Sequence, residues 1–308
     1  MPKTLSRKLG AALTGALLAL ACSVPLHARE AASETIEVSA ELPSLEVGKS
    51  RFEFSDWHGP SIPVWTYVPD RIDPRSAPIA IIMHGASRNP DDYRDAWVAG
   101  ADEHGFIVIA PGFSNEDFPG ARAYNMGGVL DQNGQPLPRA QWTFSVIEPL
   151  FDEVVSRLGG TQTGYTLYGH SAGSQFVHRF MYFMPEARAK RFLFANAGWY
   201  TFPDRAIAFP FGLDGTPVND ARLQAALAKD VVVLLGDQDN DARHRLLNRS
   251  REAMRQGRHR FERGQNFFAS ASQLAQDKGW DFGWQLRVIE GVAHSNSGIA
   301  EGAADLIE

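Results

Sequence analysis

The sequence predicts an α/β protein with a mostly parallel central sheet of about eight strands and helices on both faces. Continuous apolar runs such as IAIIM and VVVLLG are typical of strands that are covered on both sides. Segments with helical spacing separate these runs, and such an alternation produces parallel strands. No linker divides the 308 residues, so residues 50–308 are predicted to form a single domain.

Each strand is predicted from its own pattern. SRFEF and IPVWTYVP alternate in polarity, as two paired strands do. The six segments that follow are predicted to be buried strands: APIAIIMHG, FIVIAP, YTLY, FLFANAG, VVVLLGD and WQLRVIEG.

The helices are predicted between these strands. DDYRDAWVAGADEHG has helical spacing, and a second apolar stripe runs from Ile147 to Leu158. Ser145 and Glu148 have the spacing of a capping box at the start of that second helix. Further helical patterns follow the YTLY strand and lie between Ala242 and Ala275.

The first 28 residues have the pattern of a secretory signal peptide. Three basic residues in MPKTLSRK precede an apolar stretch of about a dozen residues, and small residues follow. This stretch is shorter than the roughly 20 residues of a membrane span. We therefore expect cleavage after Ala28 and a secreted or periplasmic protein without stable membrane insertion. LALAC also resembles a lipoprotein processing site, which would anchor the chain through Cys22. Residues 29–49 are predicted to be a flexible lead-in.

The composition excludes several classes of function. A net charge of −6 without a run of like charges gives no support for nucleic-acid binding. Cys22 is the only cysteine and lies in the predicted signal peptide, so the mature chain has no thiol for a disulfide, a metal or catalysis. We expect no metal and no organic cofactor.

Gly-His-Ser-Ala-Gly, residues 169–173, stands where a predicted strand meets a helix. A sharp turn there lifts its central residue beyond the carboxyl ends of the strands, where ligands of such sheets bind. Gly169 and Gly173 have no Cβ to collide in so tight a turn. Ser171 is therefore the candidate nucleophile, and the amide of Ala172 is a candidate oxyanion-hole donor. The alternative is a glycine-rich turn with a capping serine.

A serine nucleophile needs a base and a group that orients the base. In a nucleophile-elbow protein the acid follows the serine in sequence and the histidine comes last. His294 lies just after the last predicted strand. Asp237, Asp239 and Asp241 follow VVVLLG, and Asp239 is favoured because the third residue after Gly236 has room to turn back toward the site.

Two further observations concern this predicted site. The loop after IAIIMHG is expected to supply a second oxyanion donor, which we assign to the amide of Ala86. The three aspartates also suggest a calcium loop, but Ala242 and Asn248 stand where an EF-hand requires glycine and glutamate.

With these residues the chain resembles the α/β-hydrolase superfamily of serine esterases from about Arg51 to its end. MHGASRNPDDY, GHSAGSQF and NAGWYTFP look like segments of secreted esterases related to polyhydroxybutyrate depolymerases and feruloyl esterases. The resemblance implies the α/β-hydrolase fold, catalysis by Ser171, Asp239 and His294, and oxyanion donation by the amides of Ala86 and Ala172. Some secreted relatives contain disulfides, which this chain cannot form.

The residues that contact the substrate are predicted less directly. His84, Trp142, Trp199 and Tyr200 are candidates because each lies near the expected position of the serine. The segment from Tyr200 to Asp230 is short enough to form only a small cap, which would leave Ser171 open to bulky, aromatic or polymeric esters.

The function that this sequence predicts is therefore a secreted serine hydrolase that cleaves small or polymeric carboxylic esters through an acyl-enzyme. The alternatives are a serine peptidase with the same triad and a binding protein that has kept the fold without the activity.

Overall fold

The computed structural model describes residues 44–308, so the predicted signal peptide and most of the predicted lead-in lie outside the described residues. All eight predicted strands are present and form one sheet. They are β1 (Gly48–Phe54), β2 (Ile62–Val68), β3 (Ile79–Met83), β4 (Ile107–Pro111), β5 (Tyr165–His170), β6 (Ala189–Ala195), β7 (Val231–Gly236) and β8 (Trp284–Ile289). The first strand begins at Gly48, so it includes the last two residues of the predicted lead-in.

The strands follow the order β1-β2-β4-β3-β5-β6-β7-β8. Strand β2 runs antiparallel to both of its neighbours, and the other pairs are parallel. Strand β3 lies between β4 and β5, so the chain changes direction across the sheet at this position. The carboxyl ends of β3 and β5 therefore border the crevice where a ligand is expected.

Nine α-helices connect the strands of the described residues. They are α1 (Pro90–Ala96), α2 (Val98–His104), α3 (Gly120–Ala123), α4 (Ile147–Leu158), α5 (Ala172–Phe183), α6 (Asp220–Leu227), α7 (Arg251–Gln256), α8 (Arg260–Lys278) and α9 (Asn296–Glu301). Short 3₁₀ turns occupy Arg139–Gln141, Thr143–Val146 and Ala304–Leu306.

Helices cover both faces of the sheet, as predicted. Ile79 and Ile81 of β3 contribute to the core beneath α4, α5 and α8, whereas Ala80 and Ile82 contribute to the core beneath α1, α2 and α9. Successive side chains of a strand point to opposite faces, so a strand covered on both sides needs apolar residues throughout. This requirement explains why the central strands β3 to β7 were recognisable as apolar runs. Strand β8 was wrongly predicted to be buried, because Gln285, Leu286 and Val288 are exposed.

Two local predictions were wrong. Ser145 does not cap α4, because a 3₁₀ turn precedes that helix and the Ser145 hydroxyl donates to the carbonyl of Arg139. Glu148 instead accepts hydrogen bonds from the Tyr165 hydroxyl and the Arg188 guanidinium. The predicted helix between Ala242 and Ala275 consists of α7 and α8, with an irregular stretch before α7.

Within residues 44–308, no helix has the length and apolar character that crossing a bilayer requires.

Candidate active site

The candidate nucleophile occupies a strained turn between β5 and α5. Ser171 has φ 59° and ψ −115°, which residues other than glycine rarely adopt. A Cβ on Gly169 would collide with the backbone of Gly173, and a Cβ on Gly173 would collide with the carbonyl of Met83 in β3. Both glycines are therefore needed for α5 to pack this closely against the strands.

We expect Gly173→Ala to disrupt this turn. The added methyl group can be accommodated only if α5 moves away from β3, because the group that it meets is backbone. Overpacking of this kind costs about 1–3 kcal/mol of unfolding free energy, and the displacement of Ser171 should also reduce the ester hydrolysis that the sequence predicts. Urea denaturation and ester hydrolysis would measure the two effects; wild-type values for both would contradict the close packing described here.

The structure brings the predicted serine, histidine and aspartate together in one hydrogen-bonded line. The Ser171 Oγ lies 3.0 Å from His294 Nε2, and His294 Nδ1 lies 2.7 Å from Asp239 Oδ2. Ser171 follows β5, Asp239 follows β7 and His294 follows β8, so all three come from the carboxyl ends of parallel strands. This geometry allows the imidazole to accept the serine proton while the carboxylate orients the ring.

The neighbouring aspartates do not reach the histidine. The Asp237 carboxylate accepts from the amide of Gly291 at 2.8 Å, and the Asp241 carboxylate accepts from the amide of Arg243 at 2.7 Å. Asp239 is turned back by the bond from its own amide to the carbonyl of Gly236. Among the three candidates, the structure therefore places Asp239 beside His294.

Ser171 opens into a cleft of about 320 Å³ that is also lined by Ala86, Ala172 and Trp199. Ala172 is the first residue of α5, and neither its amide nor that of Ala86 donates to an acceptor among the described residues. Both predicted oxyanion donors thus border the serine. A larger cavity of about 580 Å³ near Pro203 and Trp280 has no histidine in its lining.

Comparison with solved structures shows two relatives with substantial sequence identity. One is poly(aspartic acid) hydrolase-1 from Sphingomonas sp. KT-1, which is 44% identical with a TM-score of 0.83 over 85% of this chain and 99% of that chain. The other is LpqC, a poly(3-hydroxybutyrate) depolymerase from Bordetella parapertussis, which is 33% identical with a TM-score of 0.80 over 85% and 89%.

The chain belongs to the depolymerase-type esterases of the α/β-hydrolase superfamily. An S-formylglutathione hydrolase from Agrobacterium tumefaciens shares the fold at 16% identity, with a TM-score of 0.54 over 85% of this chain and 95% of that chain. No protein-family model and no curated protein matches the sequence.

Of the four predicted substrate contacts in this hydrolase, only Trp199 lines the cleft. His84 and Tyr200 are completely buried and expose no surface to a substrate. His84 Nε2 accepts from the amide of Phe113, and the Tyr200 ring stacks on that of Phe267. These two predictions were wrong because both residues lie near the serine in sequence but beneath the surface of the cleft.

Trp142 was also wrongly predicted, because it borders a different cavity. That cavity has a volume of about 520 Å³ and is also lined by Phe183 and Phe209. The Trp142 indole donates to the carbonyl of Leu137 at 2.8 Å. The long loop before α4 therefore carries Trp142 away from Ser171, which local sequence gave no means of predicting.

Burial keeps several histidines of the hydrolase neutral. Burial lowers the pKa of His84 to about 4, and it lowers the pKa values of His170 and His178 well below their usual range. When the pH falls below about 6.5, the unfolded chain binds protons at these rings before the folded chain does. The folded state is therefore disfavoured increasingly as the pH decreases.

We expect the free energy of unfolding to fall as the pH is lowered from about 6.5 toward 4. His84 alone contributes on the order of 2–3 kcal/mol to this loss. Urea denaturation at pH 7 and pH 4.5 would measure the difference. A constant free energy across this interval would contradict protonation-linked unfolding at the buried rings.

Three residues that the sequence analysis missed surround the candidate base. Arg260 Nη1 donates to Asp239 Oδ1 at 3.3 Å, and Arg260 Nη2 lies 3.1 Å from His244 Nδ1. The ring of His170 lies 4.6 Å from that of His294, and the ring of His244 lies 5.6 Å from it. Burial and then the charges of Arg260 and His294 lower the pKa of His244. Arg260 thus holds a fixed positive charge against both Asp239 and His244.

Arg179 forms part of the support for the cleft wall. It is completely buried, and its guanidinium donates to Thr201 Oγ1 and to the carbonyls of Asn125 and Gln175. The same guanidinium lies 4.2 Å from the centroid of the Trp199 ring. Burial lowers the pKa of Arg179 to about 9. Because Asn125 and the segment with Trp199 and Thr201 are distant from Arg179 in sequence, no local sequence pattern indicated the role of Arg179.

No residue between Thr201 and Asp230 lines the cleft of Ser171. This segment contains α6 and packs beside other cavities instead. Ser171 is itself partly exposed. The segment that was predicted to form a small cap therefore leaves the cleft open.

Proposed function

We propose that this hydrolase cleaves carboxylic esters through a covalent acyl-enzyme formed on Ser171. The observation that carries the proposal is the hydrogen-bonded line from Ser171 through His294 to Asp239. That line ends in a cleft bordered by two backbone amides that have no acceptor among the described residues. A binding protein without activity would have no need of this arrangement.

In the first half of the reaction, His294 Nε2 accepts the Ser171 proton as Oγ attacks the ester carbonyl carbon. The amides of Ala86 and Ala172 then donate to the negatively charged oxygen of the tetrahedral intermediate. When the bond to the leaving oxygen breaks, its electron pair remains with that oxygen, which takes the proton from His294. Asp239 stabilises the imidazolium between these two steps.

In the second half, water replaces the alcohol. His294 accepts a proton from the water, whose oxygen attacks the acyl carbon, and the bond to Ser171 Oγ breaks. Oγ regains the proton from His294, and the carboxylic acid leaves. The reaction consumes one ester bond and one water molecule, and it needs no group beyond those of the chain.

The open cleft supports action on bulky or polymeric acyl compounds. Ser171 is partly exposed and no residue between Thr201 and Asp230 lines its cleft, so a long chain can reach it without movement of that segment. The relatives at 44% and 33% identity are hydrolases of two polymers, poly(aspartic acid) and poly(3-hydroxybutyrate). The former is joined through amide bonds, so amide cleavage by the same triad is the second candidate function.

A fluorophosphonate probe tests the proposed nucleophile. We expect it to label the wild-type protein at Ser171, as peptide mass spectrometry would show, and not to label Ser171→Ala. Matched ester and amide substrates with the same acyl group would then separate the two candidate activities. Labelling at a different residue would overturn the assignment of Ser171.

We also propose that the hydrolase is exported. The basic start, the short apolar stretch and the small residues that end at Ala28 support this proposal. Identification of the first residue of the mature protein would test this proposal. Arg29 would support cleavage after Ala28, a lipid-modified Cys22 would support the anchored alternative, and an intact Met1 would overturn both.

A further inference from the structure

Residues 241–263, which we call the arginine segment, differ in charge from the rest of the chain. They contain eight arginines and three acidic residues, a net charge of +5, whereas the whole chain carries −6. The segment follows Asp239 and continues through α7 into the first turn of α8. Its sequence therefore concentrates positive charge directly beside the candidate active site.

Most of this charge is not neutralised by the protein. Arg258 pairs with Glu262, Arg260 pairs with Asp239, and Arg263 donates to buried carbonyls. The other five arginines are exposed, and none forms an ion pair with another residue of the described chain: Arg243, Arg245, Arg249, Arg251 and Arg255. Like charges held this close together repel one another and attract anions.

The arginine segment is continuous with the cleft. Leu246, Asn248 and Arg260 line the same cavity as Ser171. Leu246 is 53% exposed, and Met254, farther along the segment, is 40% exposed. An exposed apolar residue of the cleft thus lies close in sequence to the unpaired Arg245 and Arg249.

The cleft itself also favours an anion. None of its lining residues is acidic, whereas two are arginines. Arg88 donates to the carbonyls of Phe113, Phe118 and Gly120, and it has no carboxylate partner among residues 44–308. Carbonyl groups position this guanidinium without cancelling its charge. Besides the Tyr124 and Ser171 hydroxyls, the other polar side chains of the lining are amides: Asn115, Asn125, Gln175 and Asn248.

We propose that the arginine segment and Arg88 bind a polymer that carries repeated carboxylates, and that this contact presents its acyl linkages to Ser171. This inference rests on the proposed function, because Ser171 is taken to attack an acyl carbon. The exposed guanidinia bind the carboxylates, and the exposed apolar side chains contact the hydrocarbon of the polymer. A carboxylate polymer is favoured over a nucleic acid because its linkages can themselves be acyl groups.

The first test compares two small esters that differ in charge, 4-nitrophenyl butyrate and the singly charged 4-nitrophenyl succinate. In Arg245→Gln/Arg249→Gln, we expect the ratio of kcat/KM for the anionic ester to that for the neutral ester to fall about tenfold at low ionic strength. The difference from wild type should shrink in 0.5 M salt, because salt screens exposed charges.

Arg71→Gln/Lys190→Gln is the matched control. It removes the same charge from exposed positions after β2 and at the start of β6, at the edge of the sheet opposite the cleft. This control should keep the wild-type ratio. Equal falls in both variants would show that only net charge matters and would overturn the proposed surface.

The second test measures binding without catalysis. Ser171→Ala should bind fluorescent poly(aspartic acid), as observed by anisotropy, and the added Arg245→Gln/Arg249→Gln change should weaken binding at least tenfold. Unchanged binding, or stronger binding of a DNA oligonucleotide of equal charge, would overturn the inference. Absence of ester turnover in the wild-type protein would instead overturn the proposed function, so the two failures are distinguishable.

Discussion

Replacing Ser171 with alanine should reduce kcat for a 4-nitrophenyl ester on the order of 10⁶-fold. The loss is this large because the serine, the base and the acid act as one unit, and without Oγ no acyl-enzyme can form. The alanine methyl group fits the position that the serine occupied, so folding should be retained. Initial rates and urea denaturation would measure the two quantities.

Ser174→Ala is a suitable control for this variant. Ser174 lies on the same helix, and its buried hydroxyl has no hydrogen-bond partner among the described residues. Its removal should leave kcat and stability close to the wild-type values. If Ser171→Ala retained more than a hundredth of the wild-type rate, Ser171 would not be the nucleophile.

Asp239→Asn should lower kcat about 10⁴-fold. An amide in this position can donate to His294 Nδ1, which favours the tautomer whose Nε2 carries a proton and cannot accept another from Ser171. The change also removes the charge that stabilises the imidazolium. In addition, the buried Arg260 guanidinium loses its carboxylate partner.

Asp237→Asn provides the comparison. The Asp237 carboxylate accepts from the amide of Gly291, and the side-chain oxygen of asparagine can accept the same bond. We therefore expect less than a fivefold change in kcat, measured with the same ester across a range of pH. Equal effects of the two substitutions would contradict the assignment of Asp239 as the acid.

Strands β3 to β7 and the two covered faces could be predicted from the sequence because burial on both sides demands apolar runs. Strands β1 and β2 were predicted instead from alternating polarity. The turn that carries the nucleophile could also be predicted from the sequence. Ser171 lies between two glycines. A Cβ atom on either glycine would collide with nearby backbone, including that of β3. Both features leave a pattern within a short stretch of the chain, although Met83, which Gly173 approaches, is distant in sequence.

The positions of Asp239 and His294 could be anticipated for a different reason. In a parallel sheet the carboxyl ends of the strands lie at one edge, so residues that follow β5, β7 and β8 meet there despite their separation in sequence. The order of strands did not predict the direction in which each side chain points. The choice among the three aspartates depended on loop bonds such as that of Asp237 with Gly291.

The residues that line and support the cleft could not be predicted from sequence patterns. Trp142 and Trp199 are both aromatic residues near expected loop ends, yet only Trp199 borders Ser171. Arg179 and Arg260 are charged residues on helices, which are usually solvated, but here both are buried by contacts with distant segments. Local composition determines whether a segment becomes a strand or a turn, whereas burial of one side chain depends on which remote segments fold over it.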